Sequence, residues 1–189
     1  MTSFSDSKAL SYFESIPWCA TYLQNPSYIY LKHLPPRIPA TTSTSHNLLL
    51  KTFNTPSTIP AVLSLYKKPP KGEHITETLA FIALGPDING HADTAHGGIV
   101  ATILDECAGL IQRLSAPIEG QESRPVFTAG LDVRFLRPVR TPQVILVRSK
   151  MLGAEGRKKR VSVSMEDEWG VPLAEAGVVF VRSRSDVRL

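Results

Sequence analysis

The chain has no apolar run that approaches membrane-spanning length, only two cysteines, no G-x-S-x-G element, and no dense basic block apart from one four-residue cluster. Each absence removes a class of protein. Without a long apolar run there is no candidate membrane helix. Cys19 and Cys107 stand far apart with no neighbouring Cys, so two reduced thiols are expected rather than a disulfide or a zinc site. The opening stretch MTSFSDSKALSYFES has no basic leader followed by an apolar block, so no secretory signal or transit peptide is expected and the location reads as cytoplasmic. The net charge of +4 and pI near 9.2 invite a nucleic-acid reading. The basic residues are nevertheless scattered, and the cluster Arg157 to Arg160 lies between two strand-like runs as a solvated hairpin turn. A phosphate-bearing small ligand is the more modest use for it.

With 189 residues the chain can bury one sizeable core. Residues 1–58 read as an arm: a short helix in SDSKALSYFESI, a further turn or two in PWCATYLQN, then the extended, Pro/Ser/Thr-rich LKHLPPRIPATTSTSH. From residue 59 the texture changes. IPAVLSLYKK and ITETLAFIAL are strand-like, GPDINGHADTA is a loop, and His96 to about Leu114 is one long helix. VFTAGLDVRFLRP then alternates, with Phe127, Ala129, Leu131, Val133 and Phe135 on one face of an expected half-buried strand and Thr128, Gly130, Asp132 and Arg134 on the other. QVILVRSKML, RVSVSMEDE and PLAEAGVVFVR follow with short links, which demands antiparallel pairing. The expected fold class is α+β, in the order β-β-α-β-β-β-β over residues 59–184, with a short tail at 185–189.

On a helical wheel, Ile99, Val100, Ile103, Leu104, Cys107, Leu110, Ile111 and Leu114 form the core stripe. The opposite side carries Gly98, Ala101, Thr102, Asp105, Ala108, Gly109 and Gln112. A solvated face would be rich in Lys, Glu and Arg; this one is a row of small residues around a carboxylate, where a ligand or another backbone can approach. Glu106, at the edge of the stripe, reads as structural. The helix opens on His96-Gly97-Gly98, whose bare first turn exposes unpaired N–H groups and partial positive charge to an acyl carbonyl or oxyanion. Gly97 and Asp105 are therefore the candidate functional residues of this helix. His91, Asp93 and His96 also suggest a metal, but their spacing fits no established site, and His96 reads as packing at the helix start.

This pattern resembles the hotdog-fold acyl-CoA thioesterases of the PaaI-like group, in which a long central helix is wrapped by an antiparallel sheet. SIPWCATYLQNP and TPSTIPAVLSLY are similar to the front of fungal members. The resemblance implies that Gly97 donates its N–H to the thioester carbonyl, that Asp105 acts as base or nucleophile, and that Thr128 assists it. Relatives carry Asn six residues before the His; here that position is Gly90, so either a bulge lets Asn89 serve or His91 replaces it. His96, Gly98 and Ala101 would line the substrate, and Arg137, Lys158 and Lys159 would steer its phosphates. An acyl-CoA or acyl-carrier-protein substrate, no cofactor or metal, no nucleic acid or membrane partner, and a homodimer or dimer of dimers with the site across the subunit boundary complete the expectation. Two alternatives stand beside it: a hotdog domain that binds acyl thioesters or a partner without turnover, and a hydratase or dehydratase, for which Asp87 to His91 offers only a D-x3-H spacing.

Overall fold

The computed structural model describes residues 6–31, 45–115 and 125–184. Helices α1 (Asp6–Glu14) and α2 (Pro17–Leu23) lead into β1 (Tyr28–Tyr30); β2 (Ala61–Lys67) and β3 (Glu77–Leu84) precede a small hairpin, β4 (Asn89–His91) and β5 (Thr94–Ala95). The long helix α3 (Gly97–Leu114) follows, and then β6 (Val126–Phe135), β7 (Gln143–Glu155), β8 (Lys158–Glu166) and β9 (Pro172–Arg182). Seven strands form one antiparallel sheet in the order β1-β2-β3-β7-β8-β9-β6.

The sheet has a core on each face. On one, α3 lays Val100, Ile103, Leu104, Cys107 and Ile111 against the inward residues of the sheet, among them Ile82, Val147, Val161 and Phe180. On the other, α1 and α2 cover β2, β3 and β7 with Phe13 and Cys19, and the rings of Phe13, Trp18 and Tyr22 gather on Phe81 at 5.4–5.7 Å between centroids. Burial from both sides explains why ETLAFIAL is apolar without alternation. Pro17 starts α2 where its missing N–H costs nothing, and Ile16 before it is extended, as Pro requires.

The structure corrects four expectations. The arm does more than drape over the surface: Tyr28–Tyr30 pair with β2 as an added edge strand. Most of LKHLPPRIPATTSTSH falls outside the described residues. The strand expected to be half-buried, β6, is mostly exposed, with Phe135 at 58%, because it ends the sheet and has β9 as its one strand neighbour. A bulge between Thr128 and Gly130 also breaks its alternation, setting Thr128 opposite buried Phe180 and Phe127 opposite Val181. Thr128 therefore shares the helix-facing side with Leu131, Val133 and Phe135. The small-residue side of α3 is narrower than the wheel implies, since Ala108 and Gln112 are buried where the sheet curls round the helix. Finally, the hairpin turn is at Gly156 and Arg157, and Lys158 to Arg160 already belong to β8.

Candidate active site

The start of α3 is built by its preceding loop. Gly90 is the bulged residue of the β4–β5 hairpin, and a Cβ there would lie 2.9 Å from His96 Cδ2 and 3.1 Å from His96 Cα, so the position accepts only glycine without displacing the helix cap. His96 is anchored by its N–H to Ile88 O at 2.8 Å, and its Nδ1 accepts the Gly98 N–H at 2.9 Å. Its carbonyl accepts from Ile99 and Val100 at 2.9 and 3.1 Å. Of the four N–H groups that open a helix, three are thus satisfied within the loop and first turn. Gly97 N–H has no partner among the described residues. It borders a recess of about 330 Å³ shared with Val100, Phe135, Leu136, Arg137 and Val139, with the Phe135 ring 3.5–3.6 Å from where a Gly97 side chain would begin.

Two turns along, Asp105 is half-buried and accepts a hydrogen bond from Thr128 Oγ1 to Oδ1 at 2.9 Å. The β6 bulge makes that contact possible. One oxygen of the carboxylate is thereby oriented, which leaves Oδ2 to receive a proton. Eight residues separate Gly97 from Asp105, about 12 Å along a helix, so one chain cannot apply both to the same carbonyl. Thr102, between them, spends its hydroxyl on Gly98 O at 2.9 Å.

The remaining predicted site residues are dispersed. Asn89 Oδ1 accepts from the buried Thr141 hydroxyl, a partner that no sequence signal singles out, and His91 is exposed on the hairpin. The bulge foreseen as one way for Asn89 to serve is present, and it falls on Gly90. Ala101 is half-buried. Arg137 lines the recess beside Gly97 while donating to Pro172 O at 2.7 Å. Phe135, which the alternation of its strand presents only as an apolar residue, lies over Gly97. Lys158 is exposed, whereas Lys159 Nζ donates to Gln112 O at 3.0 Å near the far end of α3, about 22 Å along the helix from Gly97. Burial and then Arg182 hold the Lys159 ammonium below the usual lysine range. Lys159→Met loses the Gln112 hydrogen bond but also relieves the partly buried ammonium, so unfolding free energy should fall by less than about 1 kcal/mol, the worth of such a bond, while Lys158→Met leaves it unchanged; urea midpoints of the two variants check this. Cys107 is no nucleophile in this setting, because burial pushes its thiol up to about 12.

A long helix held in a seven-stranded antiparallel sheet is the hotdog architecture. Residues 92–174 match the thioesterase superfamily. The structure of smu.793 from Streptococcus mutans bound to acetyl CoA superposes with a TM-score of 0.52 at 15% identity, over 59% of this chain and 83% of that one. In sequence the chain is 27% identical to verlamelin biosynthesis protein B of Lecanicillium over 71% of each protein. It is 34% identical to the rat acyl-coenzyme A thioesterase THEM4 over 54% of this chain, a match that spans 41% of the rat protein. Among the described residues no helix is long and apolar enough to cross a membrane.

Proposed function

We propose that the protein hydrolyses acyl-CoA thioesters in a site that two copies of the chain complete. The observation that carries this reading is the pairing on one helix of a Gly97 N–H that has no partner among the described residues with a Thr128-oriented Asp105. The Gly97 N–H, at the positive end of α3, polarises the thioester carbonyl and holds the oxyanion. Asp105 Oδ2 takes a proton from a water that attacks the carbonyl carbon; the C–S bond breaks, and the proton passes to the departing sulfur. The CoA thioester is favoured over a carrier-protein thioester by the relative named an acyl-coenzyme A thioesterase and the neighbour bound to acetyl CoA.

A twofold pair satisfies the distance. If the axis passes beside Ala101, midway between residues 97 and 105, two antiparallel α3 helices set Gly97 of one chain against Asp105 of the other. Small residues let the helices approach. Leu131, Phe135 and Leu136 beside them are exposed apolar groups that such a partner would cover.

Mixing two inactive variants tests the arrangement. Gly97→Pro and Asp105→Asn chains, each denatured and refolded together, should recover about a quarter of wild-type thiol release from acyl-CoA, since half the dimers are mixed and each mixed dimer has one intact site. A mixture as inactive as its components would place Gly97 and Asp105 in the same chain's site and overturn the proposal.

A further inference from the structure

On the flank of α3 away from Thr128 lies a second cavity, about 330 Å³ in volume, that the hydrolytic chemistry does not use. Its floor is the helix-facing side of β2 and β3, at Val62, Ala80 and Ile82; its wall is Ile103, Cys107 and Leu110 of α3. The roof is a single wide helical turn, Leu48–Thr52, which lowers Leu49 and Leu50 over the space. That roof is firmly tied. Leu50 N donates to His46 O at 2.9 Å, Phe53 N to Leu48 O at 2.9 Å, and Asn54 Nδ2 to Leu50 O at 3.1 Å, while Ile59, 1% exposed, returns its N–H to Phe53 O at 3.0 Å.

The lining is aliphatic over the floor, wall and roof, and the polar side chains that reach the cavity are few: His46, Ser64, Glu106 and Arg113. His46 and Arg113 are exposed and so stand at the mouth, which leaves no phosphate-binding side chain at depth. Glu106 and Arg113, seven residues apart, lie nearly on one line along α3. Between that line and Asp105 the helix surface carries Gly98, Thr102 and Gly109, with Arg113 Nη1 3.5 Å from where a Gly109 side chain would begin, and Glu106 is next in sequence to Asp105. An aliphatic chain attached to a carbonyl at Asp105 would enter the cavity past Glu106 and Arg113, which border it on that side.

We infer that this cavity receives the tail of the acyl group and that the Leu48–Thr52 roof sets a preference for medium-length, unbranched chains. The inference rests on the thioesterase reading for the head of the ligand but not for the tail. A methylene needs about the ~30 Å³ that one water occupies, and close packing lowers the usable share, so the cavity accommodates about eight to ten carbons. The roof precedes the stretch that matches the thioesterase superfamily, residues 92–174, so this selectivity is a property of the chain's own front segment.

The test is a series of straight-chain acyl-CoA substrates from two to sixteen carbons, run on the full chain, together with calorimetric titration of decanoate. Wild-type kcat/KM should climb by about fourfold for each added methylene, up to about eight to ten carbons, and then level or fall. Leu50→Trp, which fills the cavity from its roof, should move the optimum several carbons shorter, keep acetyl-CoA hydrolysis and lose decanoate binding. Leu49→Ala, which enlarges it, should move the optimum longer, and it serves if the tryptophan variant fails to fold. Unchanged length profiles in the folded variants overturn the cavity assignment and leave the hydrolase intact. If wild type releases thiol from no acyl-CoA yet binds decanoate in a Leu50→Trp-sensitive way, the hydrolase reading falls and the cavity assignment stands.

Discussion

Asp105→Asn should reduce thiol release from acyl-CoA by about a hundredfold or more while leaving the protein folded and able to bind substrate. The side chains are nearly isosteric, the position is half-buried rather than packed in the core, and the Thr128 hydroxyl can still donate to the amide oxygen. Stability should accordingly change by about 1 kcal/mol or less. What disappears is the second carboxylate oxygen as a proton acceptor, and the usual worth of a positioned base is a factor of about 10² to 10⁴. The loss should appear in kcat with little change in the affinity for a non-hydrolysable acyl-CoA analogue, because Gly97 and the acyl cavity are untouched. Glu106→Gln is the control. Glu106 is about a quarter-turn away, on the cavity side of α3, and has no Thr128 to orient it. Near-wild-type turnover in Asp105→Asn, or a larger loss in Glu106→Gln, would remove Asp105 from the chemistry.

Thr128 illustrates where a sequence is silent. Strict alternation along VFTAGLDVRF puts Thr128 on the opposite side from Leu131 and Phe135, and nothing in the letters shows that one residue near Ala129 has no counterpart on β9. A single inserted residue reverses the parity of all that precedes it. That reversal is what brings the hydroxyl to Asp105. Exposure of β6 was hidden for a different reason: an alternating apolar strand looks the same whether its inward face meets its own core or awaits another chain. The wheel of α3, by contrast, is legible for Val100, Ile103, Leu104, Cys107 and Ile111, because the core stripe follows directly from helical period.

The front of the chain was legible as helix but not as part of the sheet. Phe13 and Cys19 announce burial by type, yet the wall they close against, Phe81 and Leu146, is assembled from strands far along the chain. Tyr28–Tyr30 are too few residues to carry a period of their own, and their pairing with Leu65 to Lys67 is a tertiary fact. The loop before α3 was half legible. Its missing Asn at position 90 looked like a defect of register, whereas the close approach of the His96 ring makes glycine the requirement there. The same ring takes Gly98 N–H as its hydrogen-bond donor, which separates two glycines that the sequence presents as equivalent.

That separation yields the sharpest test of the oxyanion site, Gly97→Pro. Gly97 is the first residue of α3, where proline is well accommodated because an N–H at that place has no helical partner to lose. His96 before it is already extended, at φ −62° and ψ 135°, the conformation that a following proline demands. A side chain at residue 97 would meet the Phe135 ring at 3.5 Å, an ordinary contact. The helix and its His96 cap should therefore survive, while the substitution removes a donor that has no partner among the described residues and sets the ring Cδ in its place. Removing a single oxyanion-hole donor costs about 10² to 10³ in kcat, so turnover should fall by that factor with circular dichroism and thermal midpoint close to wild type. Gly98→Ala supplies the contrast: its N–H stays on His96 Nδ1, and its Cβ would stand 3.1 Å from that nitrogen, so the ring must yield by a few tenths of an ångström while Gly97 remains free. The alanine variant should retain most of the activity. A Gly97→Pro protein that folds and still releases thiol at the wild-type rate would show that the carbonyl is not held at this helix terminus at all.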